Sequence, residues 1–130
     1  MQSILTEIES ADAIVIGAPV NFFNINAVTR RFMERLLCCT YWPWGQPAPK
    51  LRITERKKRV VLVTSSAMPG FAVRWMTGAV SALKLMAKAV GAKPIGVLVV
   101  GLAAGKATAE LRPGVVKKAK ALGRKLAEQA

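Results

Sequence analysis

Apolar positions along the chain fall into three short runs, each followed by a segment of helical period. Ile14-Val15-Ile16, Val60-Val61-Leu62-Val63 and the stretch 95–100 are near-continuous and rich in β-branched residues. Such runs suit parallel strands buried on both faces, where alternation is not required. Val28, Phe32 and Leu36 recur at spacings of four with basic residues between them, predicting a helix over residues 27–38. Met76, Val80, Leu83 and Val90, with Lys84 and Lys88 outside the stripe, predict one long helix over 71–90. Gly91 suits the position after a helix end, and Pro94 blocks continuation. Val116, Ala119, Leu122 and Leu126 make the stripe of a last helix over 113–128, with Pro113 in its first turn. Residues 2–10 read as the tail of an amphipathic helix, with Ile4, Leu5 and Ile8 opposed to Glu7 and Glu9. The order is a helix tail, then strand and helix three times over. That alternation predicts an α/β domain with a parallel sheet and right-handed crossovers. No repeat or linker divides it, so residues 1–130 are read as one domain.

The segments after the first two strands carry the candidate chemistry. Gly17-Ala18-Pro19 is expected to end the first strand at Gly17, because Pro19 lacks the N–H that pairing needs. Val20-Asn21-Phe22-Phe23-Asn24-Ile25-Asn26 then reads as a loop, and Thr64-Ser65-Ser66-Ala67-Met68-Pro69-Gly70 as a second one. In open α/β sheets, loops at strand carboxyl ends are where ligands sit. Residues 40–50 break the pattern: Tyr41, Trp42 and Trp44 interleaved with Pro43, Pro47 and Pro49 cannot form a regular helix. Such a segment is either a functional or interface loop, or an aromatic plug on its own domain.

Composition narrows the chemistry. There is no histidine, which removes Ser-His and Cys-His nucleophile schemes and leaves zinc without ligands. Cys38 and Cys39 are adjacent and read as small apolar side chains near a helix end; a redox role is the lesser reading. No two carboxylates stand in a shared context for paired acid/base work. Gly105-Lys106 after a strand suggests a phosphate loop, but Val100 stands where glycine is required and Ala107 where a hydroxyl is required. The net charge of +13 comes from 20 basic and 7 acidic residues. Arg56-Lys57-Lys58-Arg59 and the last-helix cations Lys117, Lys118, Lys120, Arg124 and Lys125 read as solvated faces without base-stacking aromatics. Nucleic acid is therefore the last-ranked partner. No apolar run reaches the ~20 residues of a membrane span, and the acidic amino terminus shows no secretory signal, so a cytoplasmic setting is expected.

Ala11-Asp12-Ala13-Ile14-Val15-Ile16-Gly17-Ala18-Pro19-Val20, then Ala27, Arg30, Phe32, Glu34 and Arg35, resemble the flavodoxin-like NAD(P)H-dependent oxidoreductases (FMN reductase type). One departure is Asn21 directly after Pro-Val, where family members often carry an aromatic; here the aromatics are Phe22 and Phe23. The resemblance implies a doubly wound parallel sheet of which this chain holds about three strands, the third to the fifth. It implies FMN and NAD(P)H as cofactors, with hydride passed through the flavin to a quinone, flavin, azo compound or metal ion. It places Pro19, Val20, Asn21, Phe22 and Asn24, with Ser65, Ser66, Met68 and Gly70, against the flavin ring. Ordinary turn chemistry accounts for the same Asn and Ser residues. No catalytic side chain and no metal ligand is implied. Arg52, Arg56 or Lys57 could meet a 2′-phosphate, but a solvated basic approach to a strand is the favoured reading.

The family's first strand, its phosphate-cradling loop and its second strand have no counterpart, and Met1 falls midway through its second helix. The chain is therefore expected to be the carboxyl-terminal part of such a domain, and to bind FMN weakly or not at all by itself. The strand at 13–17 is expected to be an apolar edge covered by a second copy, another chain or residues 40–50. The competing reading is a non-catalytic interaction or oligomerisation module that uses this edge and the aromatics at 41–44.

Overall fold

A computed structural model describes residues 2–55, 58–105 and 110–128. Helix α1 (Gln2–Ser10) leads into strand β1 (Ala13–Asn21), a two-residue strand β2 (Asn24–Ile25) and helix α2 (Ala27–Arg35). A 3₁₀ turn (Leu36–Cys39) and two short strands, β3 (Thr40–Tyr41) and β4 (Lys50–Leu51), precede β5 (Lys58–Ser65). Helices α3 (Gly70–Met76) and α4 (Ala79–Ala89), strand β6 (Ala92–Val100) and helix α5 (Pro113–Ala127) complete the order.

The main sheet runs β2-β1-β5-β6, with β1, β5 and β6 parallel and β2 antiparallel to β1. Three parallel strands flanked by helices match the α/β expectation. Registered neighbours Ile16, Leu62 and Val97 point to one face, where α4 supplies Ala79, Leu83, Met86 and Ala87 to the core. Val61 and Gly96 point to the other face, and a Cβ at Gly96 would meet Leu122 of α5 at 2.3 Å. The missing side chain lets α5 lie close on that face. The half-buried positions of α5 are Val115, Val116, Ala119, Leu122 and Leu126, and its lysines 117, 118 and 120 are exposed, as the periodicity predicts.

Four boundaries depart from the sequence expectation. Strand β1 does not stop at Gly17 but runs through Pro19 to Asn21. Over Ala13–Pro19 it pairs only with β5, and an edge strand tolerates the missing proline N–H. The helix expected over 27–38 ends at Arg35 and tightens into the 3₁₀ turn; its start is fixed by Asn26, whose Oδ1 accepts the Thr29 N–H at 3.2 Å. The single helix expected over 71–90 is two, broken where Thr77 is extended and Gly78 stands as the N-cap of α4. Strand β6 starts three residues earlier than expected and accommodates Pro94 beside a bulge at Val60/Val61.

Residues 40–50 do not cover the β1 edge. They form their own ribbon, with Thr40 paired to Leu51 and Tyr41 to Lys50. The Trp42 indole N–H donates to the Gln46 carbonyl at 2.9 Å and closes the loop, while Trp44 is fully solvent-exposed. The aromatic-plug alternative therefore fails, because Tyr41, Trp42 and Trp44 all remain exposed. The outer side of β1 stays open, with Val15 61% exposed. Helix α5 packs on β5 and β6, where Val61 is buried, while Val15 at the edge of the same face stays exposed.

Candidate flavin-ring site

The chemistry-bearing loops meet at the carboxyl ends of β1 and β5. Pro19 and Ser65 are register partners, so the residues that follow each strand emerge side by side. After β1 the chain does not wander as a loop. Asn21 pairs with Asn24 across a two-residue hairpin whose central residues, Phe22 and Phe23, have φ of 46° and 62°. Left-handed backbone at both positions is the twist-compatible hairpin turn that Asn-Gly normally fills. Bulky aromatic residues there are conformational outliers and cost on the order of 1–3 kcal/mol each. Phe22 is fully exposed and Phe23 60% exposed, so burial of their rings does not offset that cost.

The hairpin is tied to the rest of the fold through its own backbone. The Gly78 N–H donates to the Phe23 carbonyl at 2.9 Å. A Cβ on Gly78 would stand 3.0 Å from the Asn24 amide nitrogen. The helix break at Thr77-Gly78 thus positions the turn. The Thr77 hydroxyl donates to the Val73 carbonyl at 2.7 Å and closes the preceding helix.

The second loop is braced from both sides. The Ser66 N–H donates to the Val100 carbonyl at 2.9 Å, and the Ser66 hydroxyl oxygen accepts the Met68 N–H at 3.1 Å. Leu102 and Ala103 N–H groups donate to the carbonyls of Met68 and Ser66 at 3.0 and 2.9 Å. A Cβ at Gly101 would lie 2.3 Å from the Gly70 nitrogen and 2.9 Å from the Met68 carbonyl oxygen. This backbone-to-backbone approach draws a third loop, after β6, onto the second. Among the described residues the buried Thr64 hydroxyl has no hydrogen-bond partner, an exception among buried polar groups.

All nine expected ring contacts lie in these two segments. Pro19, Val20 and Asn21 are the end of β1, Phe22 the turn and Asn24 the start of β2. Ser65 ends β5, Ser66 and Met68 are in the second loop, and Gly70 opens α3. The sequence marks Phe23 as a loop residue but not as a contact, and gives no sign that Gly78 and Gly101 position these loops. Close backbone approach by glycine leaves no local pattern to read. Arg52 lies at the opposite end of the sheet, at the recess beside Lys58. Arg56, Lys57 and the Lys106–Thr108 part of the rejected phosphate loop lie outside the described residues. Among the described residues no group of three or more metal-ligating side chains occurs, and no helix is long and apolar enough to cross a membrane.

Residues 1–122 match the family described as having a flavodoxin-like fold. Three solved structures share the fold. One is a thermophilic tryptophan halogenase from Streptomycin violaceusniger, 17% identical with a TM-score of 0.60, the alignment covering 93% of this chain and 72% of that one. Another is general stress protein 14 from Treponema denticola in complex with FMN, 18% identical, TM-score 0.57, covering 99% and 72%. A third is an NADPH-quinone reductase from P. pentosaceus, 14% identical, TM-score 0.55, covering 99% and 73%. No curated protein matches the chain.

Proposed function

The chain belongs to the flavodoxin-like fold family, and from that premise we propose that it serves a flavin-dependent NAD(P)H oxidoreductase in the cytoplasm. The observation that carries the reading is the strained aromatic turn beside the braced second loop, at the carboxyl end of adjacent parallel strands. Strain of this kind persists where function uses it. The FMN-bound stress protein and the NADPH-quinone reductase with the same fold support the choice of cofactors. The halogenase on that fold shows why the fold alone does not select a reaction.

FMN, when bound, supplies the two-electron chemistry, accepting hydride from NAD(P)H and reducing a quinone, a flavin or a similar acceptor. The site suits a flat ring in that the second loop is mostly small residues, Ser65, Ser66, Ala67 and Gly70, and the amides of Asn21 and Asn24 flank the turn. Pro19, Val20, Asn21, Phe22 and Asn24 would hold one edge of the ring, and Ser65, Ser66, Met68 and Gly70 the other. Phe22 and Phe23 would exclude water from it, and backbone N–H groups of both loops would stabilise added negative charge.

The test uses the turn itself. Replacing Phe22→Asn together with Phe23→Gly supplies the residues this backbone prefers, so the fold should gain at least about 2 kcal/mol. We expect the 130-residue chain to quench FMN fluorescence weakly, in the micromolar range or above. The double variant should bind about tenfold less tightly despite its greater stability. NADPH oxidation should require added FMN. NADPH oxidation that proceeds equally without FMN, or unchanged FMN affinity in the stabilised variant, would overturn the assignment.

A second reading is favoured by one observation, the open outer side of β1. Ile14, Val15 and Ile16 line a groove of about 330 Å³ with Ile4, Val28 and Phe32. An apolar edge of this kind invites pairing. We propose that a second copy or another chain covers residues 13–17, whether the chain acts as an interaction module or as part of the oxidoreductase. Sedimentation should show concentration-dependent association that Val15→Lys weakens severalfold. A monomer at all concentrations, with slow amide exchange along β1, would argue for a closed edge.

A further inference from the structure

A recess of about 890 Å³ lies away from the loops, at the amino-terminal end of the sheet where Lys58 opens β5 and Gly91 precedes β6. That volume is in the range of small-molecule sites. Leu5 and Ile8 of α1 form one wall, and Ile53 with Val90 forms another. Ile53 closes the recess by lying against Gly91, where φ is +71° and a Cβ would come within 2.5 Å of the isoleucine Cγ2. Only glycine allows both that backbone and that approach.

The polar lining is mixed. Arg35, Arg52 and Lys58 line the recess, against Glu9 and Glu55. Lys58 is committed, its ammonium donating to the Ile8 and Glu9 carbonyls at the end of α1. Arg52 is fixed in place: its Nε–H donates to the Cys38 carbonyl at 3.1 Å, and its guanidinium lies 5.9 Å over the Tyr41 ring. Arg35 has no side-chain partner among the described residues. Glu55 has an interaction of its own. Burial, and then the neighbouring Cys38, push the Cys39 thiol up to about 11.

We propose that this recess binds a small amphipathic anion, its apolar body against Leu5, Ile8, Ile53 and Val90 and its carboxylate on the guanidinium groups of Arg35 and Arg52. An apolar cleft with a few oriented charges is how proteins take such ligands, and guanidinium suits a carboxylate in particular. The surplus of 13 positive charges further raises the local concentration of anions. This site is separate from the flavin-ring loops and does not depend on them.

Calorimetric titration with dodecanoate below its micelle concentration tests the proposal, with dodecyltrimethylammonium as a probe of equal length and opposite charge. Dodecanoate should bind at micromolar concentration, at least about tenfold tighter than the cation. Arg35→Gln, a change at an exposed helix position, should lose roughly tenfold. Leu5→Trp should fill the recess and abolish binding, while the Phe22→Asn, Phe23→Gly variant should bind dodecanoate normally. Equal binding of both probes, or undiminished binding by Arg35→Gln, would overturn it, including where Leu5→Trp does not fold.

Discussion

Leu62→Ala is expected to cost about 2–5 kcal/mol, enough to leave a domain of ordinary stability marginal or unfolded. Leu62 is fully buried at the middle of β5, the strand paired on both sides. Its side chain faces the α4 core, between register partners Ile16 and Val97. Removing it takes away the transfer free energy of its methyl and methylene groups. It also leaves a hole that neighbours fixed on two strands cannot close. Urea titration should show a lower midpoint with an unchanged slope, and melting should fall by roughly 10 °C. Val15→Ala on β1 is the internal comparison, because Val15 is exposed and its truncation should cost under ~0.5 kcal/mol. Comparable losses at the two positions would mean that β5 is not the buried centre of the sheet.

Gly101→Ala should have the second-largest effect, and it should reach the site as well as stability. The added Cβ would meet only backbone: the Gly70 nitrogen and Cα, and the Met68 carbonyl oxygen. No side-chain rotation relieves such a clash, so the loop after β6 must separate from the loop after β5. That separation strains the bonds from Leu102 and Ala103 to Met68 and Ser66. Overpacking of this kind costs about 1–3 kcal/mol, and displaced loops should weaken FMN further than stability alone explains. Gly17→Ala is the matched control, since its Cβ would make ordinary contacts at 3.7 Å with Val63. If Gly101→Ala melts like wild type and binds FMN equally, the two loops are not held by that approach.

Both expectations depend on features that differ in how visible they are along the chain. Leu62 sits in the most apolar run of the sequence, and its burial was readable from Val60-Val61-Leu62-Val63 alone. Gly101 looked like one small residue among several after a strand. Its importance comes from Gly70, thirty-one positions earlier, which no local pattern connects to it. The break at Thr77-Gly78 was hidden for a related reason. Met76 and Val80 keep helical spacing across it, but the Gly78 N–H is spent on the Phe23 carbonyl and Met76 turns out to be exposed. The hairpin was obscured because Asn-Phe-Phe-Asn lacks the glycine that usually marks such a turn.

The sequence by itself determined the strand–helix alternation, the parallel sheet of three strands, the solvated basic face of the last helix and the two segments that carry candidate chemistry. These follow from periodicity and from small residues after apolar runs, which are local properties of the chain. Only the tertiary structure decided that β1 runs on through Pro19, that Phe22 and Phe23 are held in left-handed backbone, and that residues 40–50 leave the β1 edge open. It alone placed Arg35, Arg52, Ile53 and Leu5 around one recess. Those outcomes depend on hydrogen bonds and close approaches between residues distant in sequence. Such contacts come into being only when the sheet brings the strand ends together.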